Sequence, residues 1–223
     1  MKQPAASPEL CASQVREQID LVGFSIAEVG DRENYLTICG MLGCITGTRD
    51  LSIQPDKVER FTGYSYKPDE VPFHTDNPLV NIVGLFCVTP DAIGGENLLI
   101  DSRDILKELT EQERECLKQV RVPLPKKEEC LPVLTEIDGR PPHVYWLPAF
   151  TLAMTAKLEK EYSEAVNRFD EVLQNHRAAK RCRSIRLNTG EALWFDNFVM
   201  LHGRDRLEAS SKRAQVRVFI KYV

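Results

Sequence analysis

Apolar and polar residues alternate along the last stretch of the chain, from Arg213 to Val223. Side chains of a β-strand point to opposite faces in turn, so the alternation predicts a strand. One face carries Arg213, Gln215, Arg217 and Phe219, and the other carries Ala214, Val216, Val218 and Ile220. We expect the aliphatic face to lie on a core and the other face to present two arginines to a cavity.

Similar patterns predict further strands at residues 23–29, around His74, and at 81–89, 96–101, 143–150, 184–187 and 192–197. Residues 43–66 give no clear element, because Gly47, Asp50, Pro55 and Gly63 interrupt them. Residues 123–142 contain five prolines and predict a loop that could include one strand.

Helical signals occur at five places. Ser7 and Pro8 begin the first helix, as N-cap and first helical residue, and a weaker helix covers residues 32–41. Ser102 is expected to cap a short helix through residue 109, and Thr110 with Glu113 forms the capping box of the next. Residues 155–180 give the clearest helix, with Leu158, Tyr162, Ala165, Val166, Phe169, Val172 and Leu173 at helical spacing.

Strands before and after a helical insert predict a mixed α/β fold that is mainly β. A double-stranded β-helix, or jelly roll, with helices packed outside it suits this order of elements. The length of 223 residues fits one domain, and we expect residues 1–223 to form it.

Composition narrows the functional classes. The net charge of −4 gives no electrostatic case for a nucleic-acid or membrane partner, and no apolar run is long enough to span a bilayer. Seven scattered cysteines without a Cys-x-x-Cys pair argue against a disulfide framework and a cysteine zinc site. We therefore expect a cytoplasmic protein without a nucleic-acid or membrane partner; a homodimer stays open.

Candidate chemistry is concentrated at His74 and Asp76, which a strand would place on one face. The best third ligand is His202, 128 residues later. Two histidines and a carboxylate form the facial triad of non-haem Fe(II) oxygenases, which leaves coordination positions open. The alternative is that both histidines are ordinary core residues.

Two arginines follow the second histidine, Arg213 eleven residues and Arg217 fifteen residues after His202. Arginine binds carboxylates in bidentate fashion, so a cationic pair on one strand face is a fitting partner for a dicarboxylate.

These motifs resemble the superfamily of taurine dioxygenase, γ-butyrobetaine hydroxylase and clavaminate synthase, which are Fe(II)/2-oxoglutarate oxygenases. The resemblance covers roughly residues 60–223 and rests on four segments: Phe73-His74-Thr75-Asp76-Asn77-Pro78; Gly94-Gly95-Glu96-Asn97 followed by Asp101; Asp196-Asn197 to Leu201-His202-Gly203-Arg204; and Arg213 with Arg217. Together these segments are specific, whereas each alone is common.

The resemblance implies roles for individual residues. His74, Asp76 and His202 would bind Fe(II), and Arg213 would hold the distal carboxylate of the co-substrate 2-oxoglutarate. Asn97 stands where the family often has a threonine that contacts the same carboxylate. Arg217 would contact either the co-substrate or an anionic group of the substrate.

The expected reaction is hydroxylation of a C–H bond with 2-oxoglutarate and O₂, because Asp76 is present where halogenating relatives have Gly or Ala. Desaturation, epoxidation or cyclisation by the same triad stays open, as does a non-catalytic sensor that binds metal and 2-oxoglutarate. The resemblance favours an amino acid or biosynthetic intermediate with an anionic group as substrate. Candidate substrate-side residues are Arg217, Tyr64, Tyr66, Phe73, His143 and Tyr145.

Overall fold

The computed structural model describes residues 7–53, 67–124 and 129–222. Within these ranges the α-helices are α1 (Pro8–Val22), α2 (Arg32–Leu42), α3 (Ser102–Lys107), α4 (Glu111–Gln119), α5 (Pro148–Met154) and α6 (Lys160–Ala178). The strands are β1 (Phe24–Glu28), β2 (Cys44–Ser52), β3 (Val71–His74), β4 (Ile82–Thr89), β5 (Asn97–Asp101), β6 (Arg121–Pro123), β7 (Cys130–Pro132), β8 (Leu134–Thr135), β9 (His143–Val144), β10 (Arg183–Ile185), β11 (Glu191–Asp196), β12 (Met200–Arg204) and β13 (Ala214–Lys221).

Two antiparallel sheets form the body of the fold. The larger has the strand order β1-β11-β4-β13-β2, and the smaller has the order β10-β5-β12-β3. Strands far apart in sequence are neighbours in both sheets, as a jelly roll requires. The expected mixed α/β, mainly β fold with flanking helices is therefore confirmed.

Apolar side chains form three layers around the sheets. One cluster, which includes Leu85, Leu99 and Phe195, joins strands of the larger sheet to strands of the smaller sheet. In a second cluster, side chains of α1 and α2 pack on the outer face of the larger sheet. In a third cluster, side chains of α3, α4 and α6 pack on the smaller sheet. The sheets are thus covered outside by helices and hold the site between them.

The two faces of β13 behave as the alternation predicts. Val216, Val218 and Ile220 are buried against α1 and α2. Arg213 and Arg217 line a cavity on the opposite face. The last strand therefore connects the outer core to the site.

Helix caps agree with the sequence except at α3. Ser7 accepts a hydrogen bond from the Leu10 amide, and both bonds of the Thr110–Glu113 capping box are present. The cap of α3 is Asp101 and not Ser102, because the Asp101 carboxylate accepts the Arg103 amide at 2.8 Å.

Several predicted boundaries were wrong. Residues 44–52 form the nine-residue strand β2, because pairing with β13 outweighs its poor alternation. The predicted strand at 143–150 ends at Val144, since α5 begins at Pro148. The long helix begins at Lys160, because residues 155–157 form a separate 3-10 turn that ends at Leu158, whose backbone is extended.

None of the helices in the described ranges is long and apolar enough to cross a bilayer.

Candidate metal centre

His74 and His202 face each other across two paired strands of the smaller sheet. They are register partners on β3 and β12, and their ring centroids lie 4.2 Å apart. Antiparallel pairing therefore brings together two imidazoles that are 128 residues apart in sequence.

A β-bulge next to the site fixes one ring. Between the pairs His202–His74 and Arg204–Val71, β3 has one residue more than β12, and this segment contains Pro72, which has no amide hydrogen to donate. The Pro72 carbonyl accepts a hydrogen bond from Nδ1 of His74 at 2.9 Å. Because a carbonyl only accepts, the proton lies on Nδ1, and Nε2 of His74 keeps its lone pair for a metal.

Asp76 lies beyond the strand, since β3 ends at His74. The expectation that one strand carries both residues was therefore wrong. Instead, Thr75 forms reciprocal backbone and hydroxyl hydrogen bonds with Trp146, both at 2.9 Å. The buried Asn197 side chain accepts the Asp76 amide at 2.9 Å and donates to the carbonyls of Asn77 and Val80. These contacts hold the loop so that the carboxylate turns back towards the histidines.

The three side chains converge closely enough to share one ion. Their ligand atoms all lie within 4.8 Å of one another, and His202 Nε2 is 3.3 Å from Asp76 Oδ2. Nδ1 of His202 is buried without a hydrogen-bond partner in the described part of the chain. Two imidazoles and one carboxylate are the donor set that Fe(II) takes in facial-triad sites, so the residues present fit this metal.

Electrostatics keeps His74 and Asp76 ready to coordinate. Burial and the neighbouring His202 ring lower the pKa of His74 to about 4, which leaves it neutral at pH 7. Burial would raise the pKa of Asp76, but the Arg217 guanidinium and the His202 contact hold it well below its usual range. Asp76 is therefore an anion.

Arg217 contacts Asp76 directly. Its Nη1 lies 3.2 Å from both carboxylate oxygens, and both side chains are largely buried. Arg217 thus has an acidic partner within the site rather than a free guanidinium.

Arg213 has a different environment. Its guanidinium is buried and donates to the Asn97 side-chain oxygen at 2.8 Å and to the Gln215 side-chain oxygen at 2.7 Å. Burial, together with the nearby Arg204, lowers the pKa of Arg213 to about 10, so it stays cationic at pH 7. Among the described residues it has amide partners and no carboxylate partner.

Two consecutive glycines bring Asn97 to this arginine. Gly94 and Gly95 both have positive φ, at 74° and 71°. A Cβ on Gly95 would collide with Leu207 and touch Arg213. The glycine pair therefore turns the chain into β5 at a place where no side chain fits.

Three cavities surround the triad. A cavity of about 60 Å³ is lined by His74 and His202 together with Asn97, Arg213 and Arg217. A larger one of about 420 Å³ opens on the other side of His74 and Asp76, and a third of about 220 Å³ also borders Asp76. We refer to them as the inner cavity, the main cavity and the side cavity.

The expected substrate-side residues divide into three groups. Tyr145 lines both the main and the side cavity, and His143 lines the side cavity, where it stacks on Phe198 with ring centroids 4.1 Å apart. The expectation for Phe73 was wrong: it alternates with His74, so it faces the cluster under α6 and is 1% exposed. Tyr64 and Tyr66 lie outside the described residues.

Sequence reasoning missed three residues at the site. The sequence analysis placed Asn197 and Arg204 within the family-like segments but predicted no role for either residue. Arg204 donates to the carbonyls of Lys67 and Asp69 and lines the inner cavity. Arg49 lines the main cavity but lies on β2, which the sequence did not reveal. Arg49 lies two residues before Leu51, so on a strand both side chains point to the same face; this alternation could have predicted its position.

Comparison with protein families gives a match that spans most of the chain. Residues 43–219 match the model described as "Taurine catabolism dioxygenase TauD, TfdA family", a span that includes His74, Asp76, His202 and both arginines. No curated protein matches the chain.

Solved structures share the fold at low sequence identity. An asparagine oxygenase in complex with Fe(II), 2S,3S-3-hydroxyasparagine and succinate has a TM-score of 0.73 and 18% identity, over 95% of this chain and 78% of the other. The non-heme iron oxygenase OrfP with Fe, succinate and (3S)-hydroxy-L-Arg has a TM-score of 0.73 and 15% identity, over 97% and 81%. PvcB from Pseudomonas aeruginosa has a TM-score of 0.70 and 18% identity, over 98% and 83%.

Proposed function

The chain belongs to the TauD, TfdA family of Fe(II)/2-oxoglutarate-dependent dioxygenases, and we propose that it oxidises an unactivated C–H bond of a small molecule that has an anionic group. In this proposal residues 1–223 act as one oxygenase domain with His74, Asp76 and His202 as the iron ligands. The observation that carries it is the convergence of these three ligand atoms beside a buried arginine that has no described carboxylate partner.

The metal ligands act through charge and orientation. Two neutral imidazoles and one carboxylate reduce the charge of Fe(II) from two to one, which suits a chelating 2-oxo acid. The Pro72 carbonyl fixes the His74 ring, and Asn197 fixes the loop that carries Asp76. Bound Fe(II) with 2-oxoglutarate and O₂ would supply the oxidising chemistry, forming succinate, CO₂ and a hydroxylated substrate.

The inner cavity is the proposed co-substrate site. Arg213 supplies a planar donor fork for the distal carboxylate of 2-oxoglutarate, and Asn97 can donate from its amide beside it. Arg217 lines the same cavity, which favours a role on the co-substrate side, where it also orients Asp76.

The main and side cavities are the proposed substrate site. They meet at Asp76 and share Tyr145, while His143 and Phe198 form an aromatic wall of the side cavity. The asparagine oxygenase and OrfP structures contain hydroxylated amino acids, which supports a free amino acid or a related biosynthetic intermediate as substrate.

Oxygen-dependent formation of succinate tests the proposal. Protein loaded anaerobically with Fe(II) and 2-oxoglutarate is exposed to O₂ together with a metabolite mixture, and products are identified by mass. We expect succinate from the native protein and none from His202→Ala. A gain of one oxygen indicates hydroxylation, and a loss of two hydrogens indicates desaturation or ring closure. Equal succinate from both proteins would contradict the assignment of the triad.

A further inference from the structure

Arg49 adds a third arginine, beside Arg213 and Arg217, to the face of the larger sheet that looks into the site. Arg49 on β2 and Arg217 on β13 are direct register partners. Side chains of register partners lie on the same face, and Arg49 lines the main cavity together with Phe219. Leu51, two residues further along β2, lines the inner cavity, which confirms the orientation of the strand.

The two facing arginines differ in how their charges are balanced. Arg217 is neutralised by Asp76. Arg49 has no ion-pair partner among the described residues, and its neighbour Asp50 points to the other face, where it pairs with Arg32.

Among the described residues that line the main cavity, no acid is available to Arg49. Asp76 is the single carboxylate among the described residues that line it, and it is already held by Arg217 and His202. The remaining described lining residues are His74, Thr75, Asn77, Pro78, Leu79, Leu124, Tyr145, Leu147 and Phe219. Among the described lining residues, the positive charge of Arg49 is therefore uncompensated. Arg49 is itself exposed, so an anion can reach it from solvent.

We propose that Arg49 binds a carboxylate of the primary substrate and so selects which C–H bond faces the metal. This inference rests on the proposed function, because it takes the main cavity as the place where the substrate meets the triad. The substrate is then a small carboxylic acid whose carboxylate lies at Arg49. Its reacting carbon lies towards Asp76, and its remaining part extends past Tyr145 into the side cavity. Arg217 stays with Asp76 and does not bind the substrate.

Matched pairs of acids and amides test the proposal. Anaerobic protein with Fe(II) and 2-oxoglutarate is titrated with the twenty proteinogenic amino acids, their N-acetyl derivatives and the corresponding carboxamides. Binding is read from the perturbation of the visible charge-transfer band. The proteins compared are the native chain, Arg49→Gln, Arg49→Lys and Arg32→Gln. Arg32→Gln is the matched control, because it removes a neighbouring positive charge that points to the opposite face.

We expect at least one acid to bind the native protein and its carboxamide to bind at least tenfold more weakly, since a charge-assisted hydrogen bond is lost. Arg49→Gln should weaken the acid at least tenfold without changing the Kd of 2-oxoglutarate. Arg49→Lys should recover part of the affinity, and Arg32→Gln should behave as the native protein.

Equal binding of the acid by the native protein and Arg49→Gln overturns the proposal, as does the failure of every acid to bind. Both results leave the proposed function intact, because the band with 2-oxoglutarate still forms. A missing charge-transfer band in the native protein would instead overturn the proposed function, and this inference with it.

Discussion

Arg217 places one guanidinium nitrogen 3.2 Å from both carboxylate oxygens of Asp76. Arg217 belongs to the larger sheet and Asp76 follows a strand of the smaller sheet, so the pair joins the two sheets across the site. In the metal-free protein the guanidinium is therefore the main cationic partner of a buried carboxylate. A bound metal ion would share that role.

Loss of this pair should make the fold depend on metal. Removing one partner of a buried ion pair leaves an uncompensated charge, and we expect Arg217→Gln to lower the free energy of unfolding of metal-free protein by about 3 kcal/mol. Mn²⁺, a redox-stable stand-in for Fe(II), should restore more stability to the variant than to the native protein. Thermal unfolding with and without Mn²⁺ measures both effects.

The control for this prediction is Arg168→Gln. Arg168 pairs with Glu171 on the exposed surface of α6, where a pair contributes at most about 1 kcal/mol. If Arg217→Gln destabilises the metal-free protein no more than Arg168→Gln, the pair with Asp76 has no structural importance.

Arg213 should determine the affinity for the co-substrate. Arg213→Lys keeps the positive charge but loses the planar fork that holds a carboxylate in bidentate fashion. We expect the Kd of 2-oxoglutarate, measured under anaerobic Fe(II), to rise about tenfold to a hundredfold. Arg168→Lys serves as the control. An unchanged Kd for Arg213→Lys would mean that the co-substrate is anchored elsewhere.

Asn197 should set the affinity for the metal without touching it. Its side chain holds the Asp76 amide and two carbonyls of the same loop, so Asn197→Ala frees the loop that positions the carboxylate ligand. Loss of such supporting contacts typically weakens metal binding tenfold to a hundredfold. Titration calorimetry with Mn²⁺ measures the change, and Asn167→Ala on the exposed side of α6 is the matched control. An unchanged Mn²⁺ affinity would show that the loop holds its shape without Asn197.

Acid should destabilise the metal-free protein partly through His74. Its pKa is about 4 in the folded chain and 6.5 as a free residue. As pH falls from 6.5 towards 4, the unfolded chain binds a proton at this histidine and the folded chain does not, so stability is lost with falling pH. Between pH 7 and pH 5 the contribution is about 1–2 kcal/mol.

Urea unfolding at pH 7 and pH 5 tests this contribution by comparing the native protein with His74→Gln. The variant lacks the titrating ring, so we expect its stability to decline less between the two pH values. An equal decline in both proteins would show that His74 ionises as readily in the folded chain as in the unfolded one.

The sequence was sufficient to predict which residues meet at the site where their types and spacing match a known ligand set or a strand period. His74, Asp76 and His202 were predicted to meet, and they do, because their types and order are those of one ligand set. The alternation along β13 correctly predicted that Arg213 and Arg217 share a face. For the two arginines, one local pattern, the period of a strand, carried the information.

The sequence was insufficient to predict local structure where contacts between residues far apart in the chain decide it. β2 has exposed polar residues and breakers, and it is a strand because β13 pairs with it, so Arg49 was missed. Asp76 lies in a loop after β3, because the side chain of Asn197, 121 residues later in the sequence, accepts a hydrogen bond from its amide. Phe73 was assigned to the cavity although its alternation with His74 already indicated the opposite face.

The visible spectrum of anaerobic protein with Fe(II) and 2-oxoglutarate tests the central claim most directly, namely that His74, Asp76 and His202 hold an iron that a 2-oxo acid chelates. The native protein should develop a weak charge-transfer band that saturates with 2-oxoglutarate. His74→Ala, Asp76→Ala and His202→Ala should each keep the far-ultraviolet circular dichroism of the native fold and lose the band. A band of native intensity in His202→Ala, with its fold intact, would contradict the claim.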